Sequence, residues 1–202
     1  MNPVTSSRGS KGFDAVVVGG SAGAMGVLLE LLPTLPISLR ATVIVVLHMQ
    51  RDRPSLLKEV FARRCALPVY EAQHGAPLEP GTIVFAPPDY HLLVDAGPRL
   101  CLSTDAPLHF SRPAIDFLFE SAADQFRDRL IGLLLSGANA DGAAGLAAIG
   151  RAGGLTMVQA PSSAQAQTMP LAGLAHWPAA DHVASPSELV AIFQDLHLRR
   201  QL

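Results

Sequence analysis

DAVVVGGSAG, residues 14–23, is the stretch whose reading decides the fold. Its first five residues (DAVVV, 14–18) are short, apolar and β-branched, as expected of a strand buried on both faces of a parallel sheet. The glycines at 19, 20 and 23 end that strand in a turn. Residues 23–32 then have the composition of a helix, and Pro33 closes it. A strand, a glycine turn and a helix in that order open an α/β unit, and the pattern recurs along the chain. TVIVVL (42–47), RLIGLLL (129–135) and 154–158 read as further strands, and 53–65 (with Pro54 in its first turn), 113–126, 142–151 and 186–198 as helices. Between them, 67–104 is broken into short strand-like pieces, TIVFA (82–86), HLLVD (91–95) and RLCLS (99–103), separated by turn signals. That reads as a small hairpin-rich insert. The polar segment 1–12 reads as a flexible head, 170–185 as loop-rich, and the whole as one α/β domain with a mostly parallel sheet.

Composition narrows the function classes. With 49% hydrophobic and 16% charged residues over 202 positions, the chain can build a core. Fifteen Lys and Arg against 17 Asp and Glu give a net charge of −2, without the positive field that nucleic acid requires. Cys65 and Cys101 are far apart in sequence and form no CxxC pair, which suggests a reducing compartment and no metal framework. Residues 15–32 make a poor secretory core, and no apolar run reaches the ~18 residues of a membrane span. A soluble, cytoplasmic protein without cofactor or metal is expected.

In open α/β sheets functional groups gather beyond the carboxyl ends of the strands. Ser21 follows the first strand inside GGSAG, His48 follows the second, and Asp141 lies in SGANADG (136–142) after 129–135. A hydroxyl, an imidazole and a carboxylate at three strand ends are the parts of a serine hydrolase triad. Ser21 also has the G-x-S-x-G spacing of a nucleophile on a sharp strand-to-helix turn. Plainer readings stand beside these: Ser21 capping its helix, His48 bonded to a neighbouring backbone group, and Asp141 as the N-cap of the helix from 142. Phosphate binding at the same glycine turn is disfavoured. The glycines at 20, 23 and 26 do not make GxGxxG, and His48 stands where an acidic ribose ligand belongs. A triad in the order serine, acid, histidine would instead use Asp116 or Asp141 with His176 or His182, while His74, His91 and His109 are weaker candidates.

Several long stretches together resemble the catalytic domain of CheB-type chemotaxis protein-glutamate methylesterases. They are VVVGGSAGA (16–24), VVLHMQ (45–50), YEAQHGAPLEPGTIVFAPPDYHLLV (70–94), SRPAIDFLFESAA (111–123), LLLSGANADGAAGL (133–146) and TMP (168–170), within a match from about Asp14 to Phe193. The resemblance implies a doubly wound, Rossmann-like sheet flanked by helices, with residues 13–202 as the catalytic domain. It implies Ser21 as nucleophile, His48 as general base and Asp141 as orienting acid. It also implies hydrolysis of γ-glutamyl methyl esters on the cytoplasmic region of chemoreceptors, releasing methanol, with glutamine deamidation in some members.

Three departures from the family pattern bear on these expectations. Ala22 follows the nucleophile where the family usually has Thr, and Ala138-Asn139 replace a usual Met-Gly. Backbone N–H groups at Ala22, Ala138 and Asn139 would still serve an oxyanion hole, but the pocket they line would differ. The N-terminal receiver domain usual in the family is not seen, so phosphorylation in cis is not expected; control by a partner such as a receptor methyltransferase or a separate regulator, or none, stands open in its place. An idle homologue that docks receptors or a methyltransferase and a general small-ester hydrolase are the competing readings.

Overall fold

The computed structural model describes residues 12–49 and 55–202. Residues 1–11 of the expected head, and Pro54 of the expected second helix, lie outside the described residues. Two apolar hexapeptides form the middle of the sheet. Strand β1 (Ala15–Gly20) and strand β2 (Thr42–Leu47) are buried along their whole length and pair in parallel, Ala15 with Thr42 through Gly20 with Leu47. The helix α1 (Ala24–Leu31) connects them, buries Val27, Leu28 and Leu31, and passes into a 3-10 turn at Leu32–Thr34 that holds Pro33. On its other side β1 pairs in parallel with β7 (Leu130–Leu134).

The remaining elements extend this centre both ways. The helix α2 (Leu57–Ala62) is shorter than the 53–65 expected. After it come β3 (Val69–Glu71), β4 (Ile83–Phe85), β5 (His91–Asp95), β6 (Arg99–Ser103) and α3 (Ile115–Phe126). Beyond β7 follow α4 (Ala143–Arg151), β8 (Leu155–Gln159), α5 (Thr168–His176), β9 (His182–Ala184) and α6 (Pro186–Leu198). The seven-stranded sheet runs β3-β4-β2-β1-β7-β8-β9, with every pairing parallel. From β1 the chain winds outward through β2, then returns to β7 and winds the other way. The boundary between β1 and β7 is therefore the topological switch point, where α/β sheets open a crevice for ligands.

Alternation along the strands divides the core. Val16, Val18, Val43 and Val45 pack on one face with Leu28, Phe61 and Phe193, while Val17, Ile44 and Val46 pack on the other with Ile115, Phe119 and Leu146. Phe61 and Phe119 have no exposed surface, and truncating such a side chain costs about 3–5 kcal/mol. The three layers hold the strand ends rigidly beside one another.

Two readings of the sequence change. TIVFA does not belong to the insert: Ile83–Phe85 is a fully buried strand of the main sheet, paired with both β2 and β3. Only β5 and β6 form an antiparallel hairpin. The 170–185 region is not loop-rich, since it contains most of α5 and the edge strand β9. Gly and Pro in these stretches suggested punctuation, but tertiary packing overrode that local preference. Among the described residues, no helix is long and apolar enough to cross a membrane.

Candidate active site

Backbone bonds set the candidate residues abreast. The His48 N–H donates to Gly20 O at 3.0 Å, and the Ser21 N–H donates to Ser136 O at 2.9 Å. His48, the first residue beyond β2, is thereby laced to the last residue of β1, and Ser21 to the loop beyond β7. Between Ser21 and α1 the chain turns at Gly23, the N-cap, with φ of 84°. Ser21 makes no capping bond there, and among the described residues its hydroxyl has no hydrogen-bond partner. The hydroxyl is partly exposed at the switch point, as a nucleophile must be.

Asp141 is fully buried and does not cap the helix that follows it. Gly142 is the N-cap of α4, with a φ of 88° that an L side chain rarely adopts. The Asp141 carboxylate crosses instead to the start of α3. Oδ2 accepts from Ile115 N at 2.7 Å and Oδ1 from Asp116 N at 3.0 Å. These are two of the amides that a helix leaves unsatisfied in its first turn, and the helix dipole adds to their pull on a negative charge. Oδ2 also meets His48 Nε2 at 2.8 Å, with the imidazole 10% and the carboxylate 0% exposed. Ile115 fits so close because of Gly19: any Cβ there would collide with the Ile115 side chain. The glycine of β1 thus brings the α3 amides within reach of Asp141.

This geometry fixes the imidazole. A carboxylate only accepts, so Nε2 carries the hydrogen, and in neutral His48 the lone pair lies on Nδ1. Ser111 Oγ lies 3.2 Å from that nitrogen and donates to it. Ser111 ends a tight turn in which Leu108 and Ser111 exchange backbone bonds of 3.1 and 2.8 Å. Fully buried His91 anchors the segment behind the turn: Nδ1 accepts from Ala114 N at 3.1 Å, Nε2 donates to Ala106 O at 3.2 Å, and the ring stacks on Phe117. Burial holds the His91 pKa below its ordinary value, which keeps this neutral arrangement. Arg112 adds a clamp to Asp89, at 2.7 and 3.0 Å, and to the carbonyls of Thr104 and Asp105.

Asp116 sits next to this centre but has another role. Its Oδ1 accepts from Gly145 N at 2.7 Å, joining α3 to α4. Burial, with the nearby Asp141 charge, pushes its pKa up to about 6 despite that bond. The alternative histidines are not brought to the carboxylates. His176 bonds Ala172 O of its own helix, and His182 begins the edge strand β9.

The three oxyanion-hole candidates differ. Neither the Ala22 nor the Ala138 N–H donates to a described residue. The Asn139 side chain is engaged: Oδ1 accepts from Asp141 N at 3.2 Å and Nδ2 donates to His109 O at 3.3 Å. Ser136 is fully buried and braces the loops, its hydroxyl donating to Ala22 O at 2.7 Å and accepting from Ala166 N at 2.9 Å. Ser111 and Ser136 have no role in the sequence reading, and His91, a weaker candidate there, braces the turn instead of serving as the base. Only the place of Ser136 directly beyond a strand could have marked one of them. Among the described residues, no three His, Cys, Asp or Glu side chains cluster as a metal site requires.

An imidazole fixed by a buried carboxylate beside a serine on a glycine turn can carry out acyl transfer. Known proteins agree with that chemistry. A putative protein-glutamate methylesterase/protein-glutamine glutaminase of Leptospira interrogans is 34% identical over 181 residues, 90% of this chain and 93% of that protein. A protein-glutamate methylesterase/protein-glutamine glutaminase of Symbiobacterium thermophilum is 39% identical over 155 residues, 77% of this chain and 43% of the relative. The crystal structure of the Thermotoga maritima CheB methylesterase catalytic domain superposes with a TM-score of 0.83 at 28% identity, covering 91% of this chain and 98% of that one. The CheB methylesterase family matches from residue 16 to residue 193, so the switch-point site lies inside the shared region and the chain belongs to that family.

Proposed function

We propose that the protein hydrolyses γ-glutamyl methyl esters on the cytoplasmic helices of chemoreceptors, with Ser21 as nucleophile, His48 as base and Asp141 as the group that orients it. The observation that carries this reading is the 2.8 Å contact between His48 Nε2 and buried Asp141, one strand over from Ser21. With Nε2 committed to Asp141, Nδ1 is the nitrogen that takes the Ser21 proton. Ser21 Oγ attacks the ester carbonyl carbon, and the free N–H groups of Ala22 and Ala138 receive the developing oxyanion. The bond from the carbonyl carbon to the methoxy oxygen breaks, and methanol leaves with the proton held on Nδ1. Water, deprotonated by the same nitrogen, attacks the acyl-serine and leaves a glutamate carboxylate and free Ser21. A glutamine side chain would follow the same course with ammonia as the leaving group, in keeping with the names of the relatives.

Incubation with a methylated receptor fragment tests the proposal. Wild type is expected to release methanol, and Ser21→Ala to lower the rate by roughly 10⁴-fold or more. Labelling of Ser21 by a fluorophosphonate without methanol release from any methylated receptor would reject the substrate and keep the nucleophile. Undiminished release by Ser21→Ala would reject the mechanism.

A further inference from the structure

The turn that carries Ser111 has a second property. Its two central residues, His109 and Phe110, have φ of 48° and 64°, a left-handed pair that glycine or asparagine normally supplies. For a bulky aromatic residue that conformation is an outlier, retained only where the surroundings enforce it. They do so here through the reciprocal Leu108–Ser111 bonds, the Arg112 clamp on Asp89, and Asn139 Nδ2 donating to His109 O. What the turn presents is Phe110, 99% exposed, the most exposed of the large apolar side chains among the described residues. A single surface phenylalanine elsewhere would need no explanation. This one is held out by a built device, one residue from the hydroxyl that touches His48.

We infer that the Leu108–Ser111 turn is a reading finger for the protein substrate, with Phe110 as its apolar contact and Asn139 as its strut. The inference rests on the proposed function above and names the specificity element of that site. Ser111 Oγ lies 3.2 Å from His48 Nδ1 and Phe110 is its chain neighbour, ~3.8 Å away from Cα to Cα, so Phe110 borders the site that would hold the ester. On a helical substrate the neighbours three and four residues from the esterified glutamate lie ~5–6 Å from it, and a bundled helix alternates such glutamates with apolar seam residues. The occupant is therefore the apolar side chain beside the ester on a helical protein. Aromatic residues dominate contacts of this kind. Asn139 also accepts from Asp141 N, so the same side chain ties the finger to the catalytic carboxylate. The departure from Met-Gly at Ala138-Asn139 thus acquires a function: it fixes the finger.

Steady-state kinetics on two substrates test this. One is a methylated receptor fragment, followed by methanol release; the other is p-nitrophenyl acetate, which offers no helix to read. Phe110→Ala is expected to raise KM for the receptor fragment on the order of tenfold more than it changes KM for the small ester, with kcat on the fragment moving far less than KM. Phe110→Leu should recover most of that loss. Equal changes on both substrates, or a shift in receptor KM below twofold, would overturn the inference while leaving the esterase intact. Wild type that turns over the small ester and releases no methanol would overturn the substrate reading, and the finger with it.

Discussion

His48 is held by two segments, one nitrogen each, and they are built on opposite plans. The loop after β7 supplies Asp141, fully buried and accepting from Ile115, Asp116 and His48. The turn before α3 supplies Ser111, neutral, partly exposed, and next to two residues of positive φ. The first partner is permanent, because withdrawing it would strand two helix amides. The second is exchangeable, since a hydroxyl on Nδ1 occupies the lone pair to which the proposed mechanism sends the Ser21 proton. The contrast separates a group that fixes the imidazole from one that covers its remaining nitrogen.

The largest effect should come from breaking the permanent side. Asp141→Asn can no longer accept all three donors, so one buried N–H loses its partner, at about 1–3 kcal/mol. The wrong imidazole tautomer becomes favoured as well. Methanol release should fall on the order of 10³–10⁴-fold, with a lower melting temperature by calorimetry. A loss of activity with unchanged melting would show that the α3 amides do not depend on this carboxylate.

A second carboxylate, Asp116, sharpens the comparison. It accepts a single amide, and its pKa is raised to about 6 by burial and the Asp141 charge. A raised folded pKa means the native state binds the proton more tightly than the unfolded chain. The contribution is then fully present below the ordinary carboxyl value of 3.8 and is lost as pH rises through about 6. The ionised form costs on the order of 3 kcal/mol. Asp116→Asn, which keeps the acceptor for Gly145 N, should stabilise the protein at pH 8 and change it least at about pH 3, below the unfolded carboxyl's value. Urea melts at the two pH values measure the difference, and a parallel offset at both would refute the assignment.

The smallest effect belongs to the exchangeable side. Removing the hydroxyl with Ser111→Ala frees the lone pair of a competitor worth about 1 kcal/mol, so fluorophosphonate labelling of Ser21 should quicken by roughly fivefold. Ser111→Thr should restore the wild-type rate. Slower labelling of the alanine variant would make Ser111 a support for the ring and remove the contrast.

How far the site could be read from sequence follows the same division. Ser21, His48 and the loop of Asp141 stand where strands end, and strand ends are legible from short apolar runs. That the sheet is mostly parallel follows from the same runs and the helices between them, whereas the order of the strands does not. What could not be read depends on contacts distant in sequence. Ser111 is 63 residues from His48, and Asp141 reaches α3 amides 25 and 26 residues before it. Local pattern suggested that Asp141 would cap its own helix, and only packing of Ile115 against Gly19 directs it to another. Ile83–Phe85 was misplaced for a similar reason. A three-residue strand among turn signals looks like part of a hairpin until the sheet edge that receives it is known.

One carboxylate both seats the first turn of α3 and holds the His48 imidazole, and this limits how the proposed chemistry could be transplanted. A designer grafting Ser21, His48 and Asp141 onto another parallel sheet would carry over three strand ends and still obtain a poorly aimed histidine. The portable unit includes the opening turn of α3, with Ile115, Asp116 and the glycine that admits them.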